Sequence, residues 1–98
     1  KAAKDGRIIR RFYSDDKKDL IRIHNRKGEE LFSAGNIRGA KSIFEEIVAR
    51  DPRLTEPLNN LGVIAFQEGE IDQAISYFAR VLEIDKDNFE ATENLGKC

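Results

Sequence analysis

Leu61–Asp85 reads LGVIAFQEGEIDQAISYFARVLEID, and its spacing decides the fold. Two amphipathic helices are joined by a tight turn. The first carries Leu58, Leu61, Ala65 and Phe66 on one side. The second carries Ile71, Ala74, Ile75, Phe78, Val81 and Leu82, at steps of three, four and one,. Gly69 stands between them, where a helix must stop and the backbone needs positive φ. Gly62 and Ala74 are small residues inside strong helical patterns. A glycine there costs about 1 kcal/mol relative to alanine, so its presence points to a close approach of two backbones.

The pattern recurs thirty-four positions earlier. Asn25, Gly28, Phe32, Gly35, Ile37, Ala40, Ser42, Phe44 and Asp51 stand for Asn59, Gly62, Phe66, Gly69, Ile71, Ala74, Ser76, Phe78 and Asp85. Both helix-interior glycines, both turn glycines and both small alanines match, which are the positions a helix hairpin needs. One step later, Glu90, Asn94, Leu95 and Gly96 repeat Glu56, Asn60, Leu61 and Gly62. A fixed period of this size marks a helical repeat array.

These residues resemble the tetratricopeptide repeat, whose period is ~34 residues. The later unit carries Leu61-Gly62, Gly69, Ala74, Phe78 and Asp85; the earlier carries Gly28, Gly35, Ala40, Phe44 and Pro52. Two full repeats are expected, at residues 21–54 and 55–88, with 89–98 the opening helix of a third. The resemblance implies an all-α fold, a right-handed superhelical array of antiparallel hairpins. Departures are visible. His24 and Leu58 fill the position where the family often has Trp, Lys27 replaces a Leu, and Lys86 replaces the closing Pro of the second repeat.

At 98 residues there is room for one domain,. About three stacked repeats are normally needed for stability. The expectation is therefore a fragment of a longer chain, or a module whose open end a partner covers. The single Cys98 has no intrachain disulfide partner and no metal-ligand company,. No run approaches the ~18 apolar residues of a membrane span, and no signal peptide is visible. A cytoplasmic setting is the expectation. Charge is uneven: residues 1–27 hold ten Lys/Arg and four Asp, a formal +6, and residues 28–98 a formal −7, for a net −1. Residues 1–20 read as a basic arm or linker, in part helical. Within them, residues 1–13 suit a short helix or a strand and are open to two readings: a docking arm seeking an acidic surface, or a linker from a preceding domain or a helix covering the first repeat.

Ser14-Asp15-Asp16 resembles a helix start, which would carry the first helix to about Ala34 with Leu20, Ile23, Leu31 and Phe32 as its apolar positions,. Asn36 is the expected cap of a helix over Ile37–Arg50, and Asp51-Pro52 ends it,. Thr55 is the expected cap of the third helix, with Pro57 in its first turn. The fourth spans Ile71–Ile84, and Asp87-Asn88 opens the fifth. The expected core is Phe32, Ala40, Phe44, Ile47, Leu61, Ala65, Ala74, Phe78 and Val81. His24 is expected to be partly buried.

No catalytic set holds together. His24 is the only histidine, and Glu29-Glu30 and Glu45-Glu46 are helix neighbours that point in different directions. There is no phosphate loop, HExxH, CxxC or EF-hand pattern. Neither an enzyme nor a cofactor nor a metal site is expected.

What remains is surface. The resemblance implies that the first helix of each pair lines a concave groove that binds a peptide or helix. Carried across residue by residue, that groove shows Arg22, Asn25, Glu29, Phe32 and Ser33; then Glu56, Asn59, Asn60, Val63, Phe66 and Gln67; then Glu90, Glu93, Asn94 and Lys97. An asparagine amide both donates and accepts, which suits a peptide backbone. The family's grip on chaperone C-terminal carboxylates needs Lys and Asn, then Asn, then Lys and Arg, where this chain offers Asn25 and Glu29, then Asn60, then Glu90 and Asn94. Only Asn60 fits, and two of the positions are acids that would repel a carboxylate, so that mode is rejected. The partner expected is a protein segment of basic or apolar character. Two alternatives stay open: homo-oligomerisation through the open repeat end or the basic arm, and, less favoured, nucleic-acid or anionic-surface binding by residues 1–27.

Overall fold

The structure is a computed structural model that describes residues 20–98. Expectations for the arm and for the start of the first helix lie outside the described residues. Within them the chain is all helix and turn, without a strand. The helices are α1 (20–33), α2 (Ile37–Arg50), α3 (Thr55–Gln67), α4 (Ile71–Ile84) and α5 (Phe89–Lys97).

The two hairpin turns are built alike. Gly35 and Gly69 have φ of 89° and 81°, the positive values a side chain disfavours,. Each turn closes with the paired bonds of a Schellman motif. Gly35 N–H donates to Phe32 O (3.0 Å) and Asn36 N–H to Leu31 O (2.8 Å). Gly69 N–H donates to Phe66 O (3.1 Å) and Glu70 N–H to Ala65 O (2.8 Å). The junctions between hairpins are also alike. Asp51 Oδ1 accepts from Arg53 N–H at 3.3 Å, and Asp85 Oδ1 from Asp87 N–H at 3.2 Å. The aspartate closes the junction in both cases, so Lys86 leaves the end of α4 at the position equivalent to the end of α2.

Asn36 caps α2 as expected, its Oδ1 accepting from Gly39 N–H at 3.0 Å. Asn88 caps α5 through Ala91 N–H at 2.9 Å. Thr55 does not cap α3: it is the first helical residue, and no side chain caps that end. Pro57 lacks an N–H, which removes one of the donors a cap would satisfy.

The core forms two packed groups. One holds Ala40, Phe44, Ile47, Leu61 and Ile64. The other holds Leu58, Ala65, Ala74, Phe78, Val81 and Ala91. Val48 and Tyr77 touch both and join the hairpins. Gly28 and Gly62 each abut the phenylalanine of their own hairpin. A Cβ on Gly28 would lie 2.6 Å from Phe44 Cε1, and one on Gly62 would lie 2.5 Å from Phe78 Cε1. The small residue is thus a steric requirement of ring packing, which outweighs the helix-propensity cost of glycine.

Two expectations on burial are corrected, those for Phe32 and His24, and two of the apolar positions named for α1 stand in solvent. Phe32 is only half-buried. Leu20 and Ile23 are exposed, at 52% and 63%. His24 is exposed too, 4.0 Å from Glu46 Oε1 across α2. Conversely, Leu58, Ile64 and Ala91 are fully buried. Helix α3 packs against α2, α4 and α5, so it buries more than one apolar stripe,.

Candidate functional site

Helices α1 and α3 lie side by side, and a cleft of about 220 Å³ opens between them. It is lined by Glu29, Phe32 and Ser33 of α1, Asn60 and Val63 of α3, and the buried ring of Phe44. Five residues that sequence reasoning placed in a groove, Glu29, Phe32, Ser33, Asn60 and Val63, thus meet around one depression. Phe66, 38% exposed, lies about one turn beyond Val63 on α3, with exposed Gln67 beside it,. Asn94 is half-buried on α5, outside the lining of this cleft.

Asn25, Glu56 and Asn59, also expected in the groove, have a different role. Asn59 is only 3% exposed. Its Nδ2 donates to Asn88 Oδ1 at 3.2 Å, the same oxygen that caps Ala91 N–H. That shared acceptor requires the amide nitrogen to face Asn88. Asn25, at the matching position of the earlier unit, donates from Nδ2 to Glu56 Oε2 at 3.1 Å. Both Oδ1 atoms are buried and unbonded among the described residues. The recurring asparagine therefore ties each hairpin to the start of the next, and Asn59 is closed to a ligand. Glu56 serves as the acceptor of the first tie. The repeat frame showed that this position recurs, but whether it faces outward depends on where the next helix starts.

A second cleft, of about 380 Å³, lies between the start of α1 and the α2–α3 junction. Arg22, Asn25, Asp51, Thr55 and Glu56 are its polar lining, with Ile21, Ile47, Leu54 and Pro57 as its apolar part. No sequence signal grouped these residues, because they come from three helices and a turn.

Among the described residues no group of three or more His, Cys, Asp or Glu is placed to hold a metal. Cys98 is exposed, its Sγ 3.4 Å from Asn94 O. No described helix is long and apolar enough to cross a membrane.

Paired helices stacked in register, with glycine–phenylalanine contacts inside each pair, define an α-helical repeat solenoid. A family model described as tetratricopeptide repeat matches residues 31–91, and the chain belongs to that family. No curated protein matches the chain. Tetratricopeptide repeats generally mediate protein–protein interaction, and the family is typically a non-catalytic scaffold.

Proposed function

We propose that the α1–α3 cleft and the adjoining face of α3 form a concave groove that holds a segment of a partner protein, basic or apolar in character. The observation that carries this reading is the cleft itself. Glu29, Ser33 and Asn60 have no hydrogen-bond or ion-pair partner among the described residues, and they surround Phe32, Val63 and Phe44. A few polar groups open to a ligand around an apolar floor are the common make-up of a binding site. Asn60 grips the backbone of the segment, and Phe66 and Gln67 extend the contact along α3. Asn94 extends it onto α5. The reading is one of scaffolding, without catalysis.

The test is selection of binders from a random dodecapeptide display library on the immobilised protein, followed by affinity measurement on Asn60→Ala and Phe66→Ala. Both positions lie at the surface, so both variants should keep the parental circular dichroism. The expectation is a loss of about 1 kcal/mol or more at each, roughly fivefold or greater. Selection that yields no peptide, or peptides indifferent to both changes, overturns the reading.

A second reading, self-assembly, draws on the C-terminal end of the array. Phe89 is 75% exposed and Ile75 39% exposed, and nothing lies within 4 Å of a Cβ placed on Gly96. Sedimentation velocity over a concentration series, comparing the parent with Phe89→Ser, tests it. A single monomeric species in both would remove the reading.

A further inference from the structure

The cleft between α1 and α3 discriminates among side chains. Its floor and walls are carbon: the ring of Phe44, the half-buried ring of Phe32, and Val63. Its polar groups are one carboxylate, Glu29, together with the Ser33 hydroxyl and the Asn60 amide. Glu29 makes no ion pair among the described residues, not even with Arg26 three positions before it on the same helix. At about 220 Å³ the space is smaller than the roughly 300–1,000 Å³ of pockets that enclose a whole small molecule,. It is of a size for one long side chain.

The lining selects among candidates. An acidic side chain would bring a second carboxylate against Glu29. A wholly apolar one would cover Glu29 and leave its charge without a partner, which is costly. A side chain with a methylene stem and a cationic head satisfies both parts at once. Its stem lies on apolar surface while its head reaches a polar rim. The face of Phe32 adds a cation–π contact.

We propose that this cleft is the pocket for one lysine or arginine side chain of the partner segment. Glu29 takes the charge, Ser33 and Asn60 accept its remaining hydrogen bonds, and Phe32 and Val63 flank the stem. The proposal rests on the groove reading above and assigns the residue class at one position of its ligand.

The experiment uses the dodecapeptides selected on the parent protein. They should share a Lys or Arg at one fixed position. Replacing it by Ala should weaken binding about 3- to 30-fold, the range expected when an exposed ion pair and a cation–π contact are lost together. Glu29→Lys, an exposed position that leaves the fold intact by circular dichroism, should weaken the basic peptide at least as much. It should then bind the peptide carrying Glu at that position better than the parent does. Peptides that depend on Phe66 but show no basic position overturn this proposal and leave the groove standing. So does a Glu29→Lys protein with unchanged preference. Peptides indifferent to Phe66→Ala and Asn60→Ala overturn both.

Discussion

Replacing Gly62 by alanine adds one methyl group to a helix and should nevertheless weaken the protein. The new carbon would lie 2.5, 2.7 and 2.9 Å from Cε1, Cζ and Cδ1 of Phe78. That ring is 1% exposed and packed among Leu58, Ala74 and Val81, so it has little room to withdraw. Overpacking of this kind costs about 1–3 kcal/mol, and three ring carbons too close put this site toward the upper end. Alanine returns about 1 kcal/mol in helix propensity. The net loss should be about 1–2 kcal/mol, or a fall in Tm of roughly 4–16 °C for a domain of this size.

Gly96 supplies the internal control. It occupies the same repeat position, yet nothing lies within 4 Å of its added Cβ. Gly96→Ala should be neutral or stabilising by up to about 1 kcal/mol, because only the propensity acts there. Urea unfolding followed by far-UV circular dichroism measures both. Pairing Gly62→Ala with Phe78→Leu should show a favourable coupling of about 0.5–3 kcal/mol, since the smaller side chain removes the clash. The steric account fails if the two glycine substitutions shift the midpoint equally, or if Phe78→Leu costs the same in both backgrounds.

Other consequences follow from the same contacts. Asn36→Ala should cost about 0.5–2 kcal/mol by uncapping α2, whereas Thr55→Ala should stay within about 0.5 kcal/mol because that side chain caps nothing; thermal melts separate the two. Asn59→Asp sets a buried carboxylate against the Asn88 oxygen that already serves Ala91 and should cost about 1–3 kcal/mol or more at neutral pH. Burial raises that carboxyl's folded-state pKa above its unfolded value, so melts in mildly acidic buffer should recover part of the loss. A melt insensitive to pH would show that the position is open to water. Ala74→Leu should lower stability by about 1–3 kcal/mol or more in urea titrations, since Ala74 is wholly enclosed where α3 and α4 cross,.

The asparagines show where sequence reading stops. Asn25, Asn59 and Asn60 were read alike, as amides suited to a peptide backbone. The structure separates them by the direction of one bond: Asn25 and Asn59 point at the start of the following hairpin, and Asn60 points into the cleft. Residues 59 and 60 are neighbours about 100° apart around a helix, so the repeat frame distinguishes their faces but cannot tell which face a later helix will cover. Glu29, Phe32, Ser33, Asn60 and Val63 were each legible as candidates. Their convergence over Phe44 was not, because it depends on the spacing between α1 and α3.

What the sequence by itself determined is the hairpin. Gly35 and Gly69 set the turns, Asp51 and Asp85 the junctions, Asn36 a cap, and Gly28 and Gly62 the seats for Phe44 and Phe78. Each is an interaction within a few residues or within one helix pair, and such short-range terms are written in residue type and spacing. Only the tertiary structure decided how the pairs use their remaining faces. It buried Leu58, Ile64 and Ala91, left Leu20, Ile23 and His24 in water, and turned one repeating asparagine into a bridge. Burial at those positions is set by how many helices surround each one, and α3, with α1, α2, α4 and α5 around it, hides side chains that an edge helix leaves exposed.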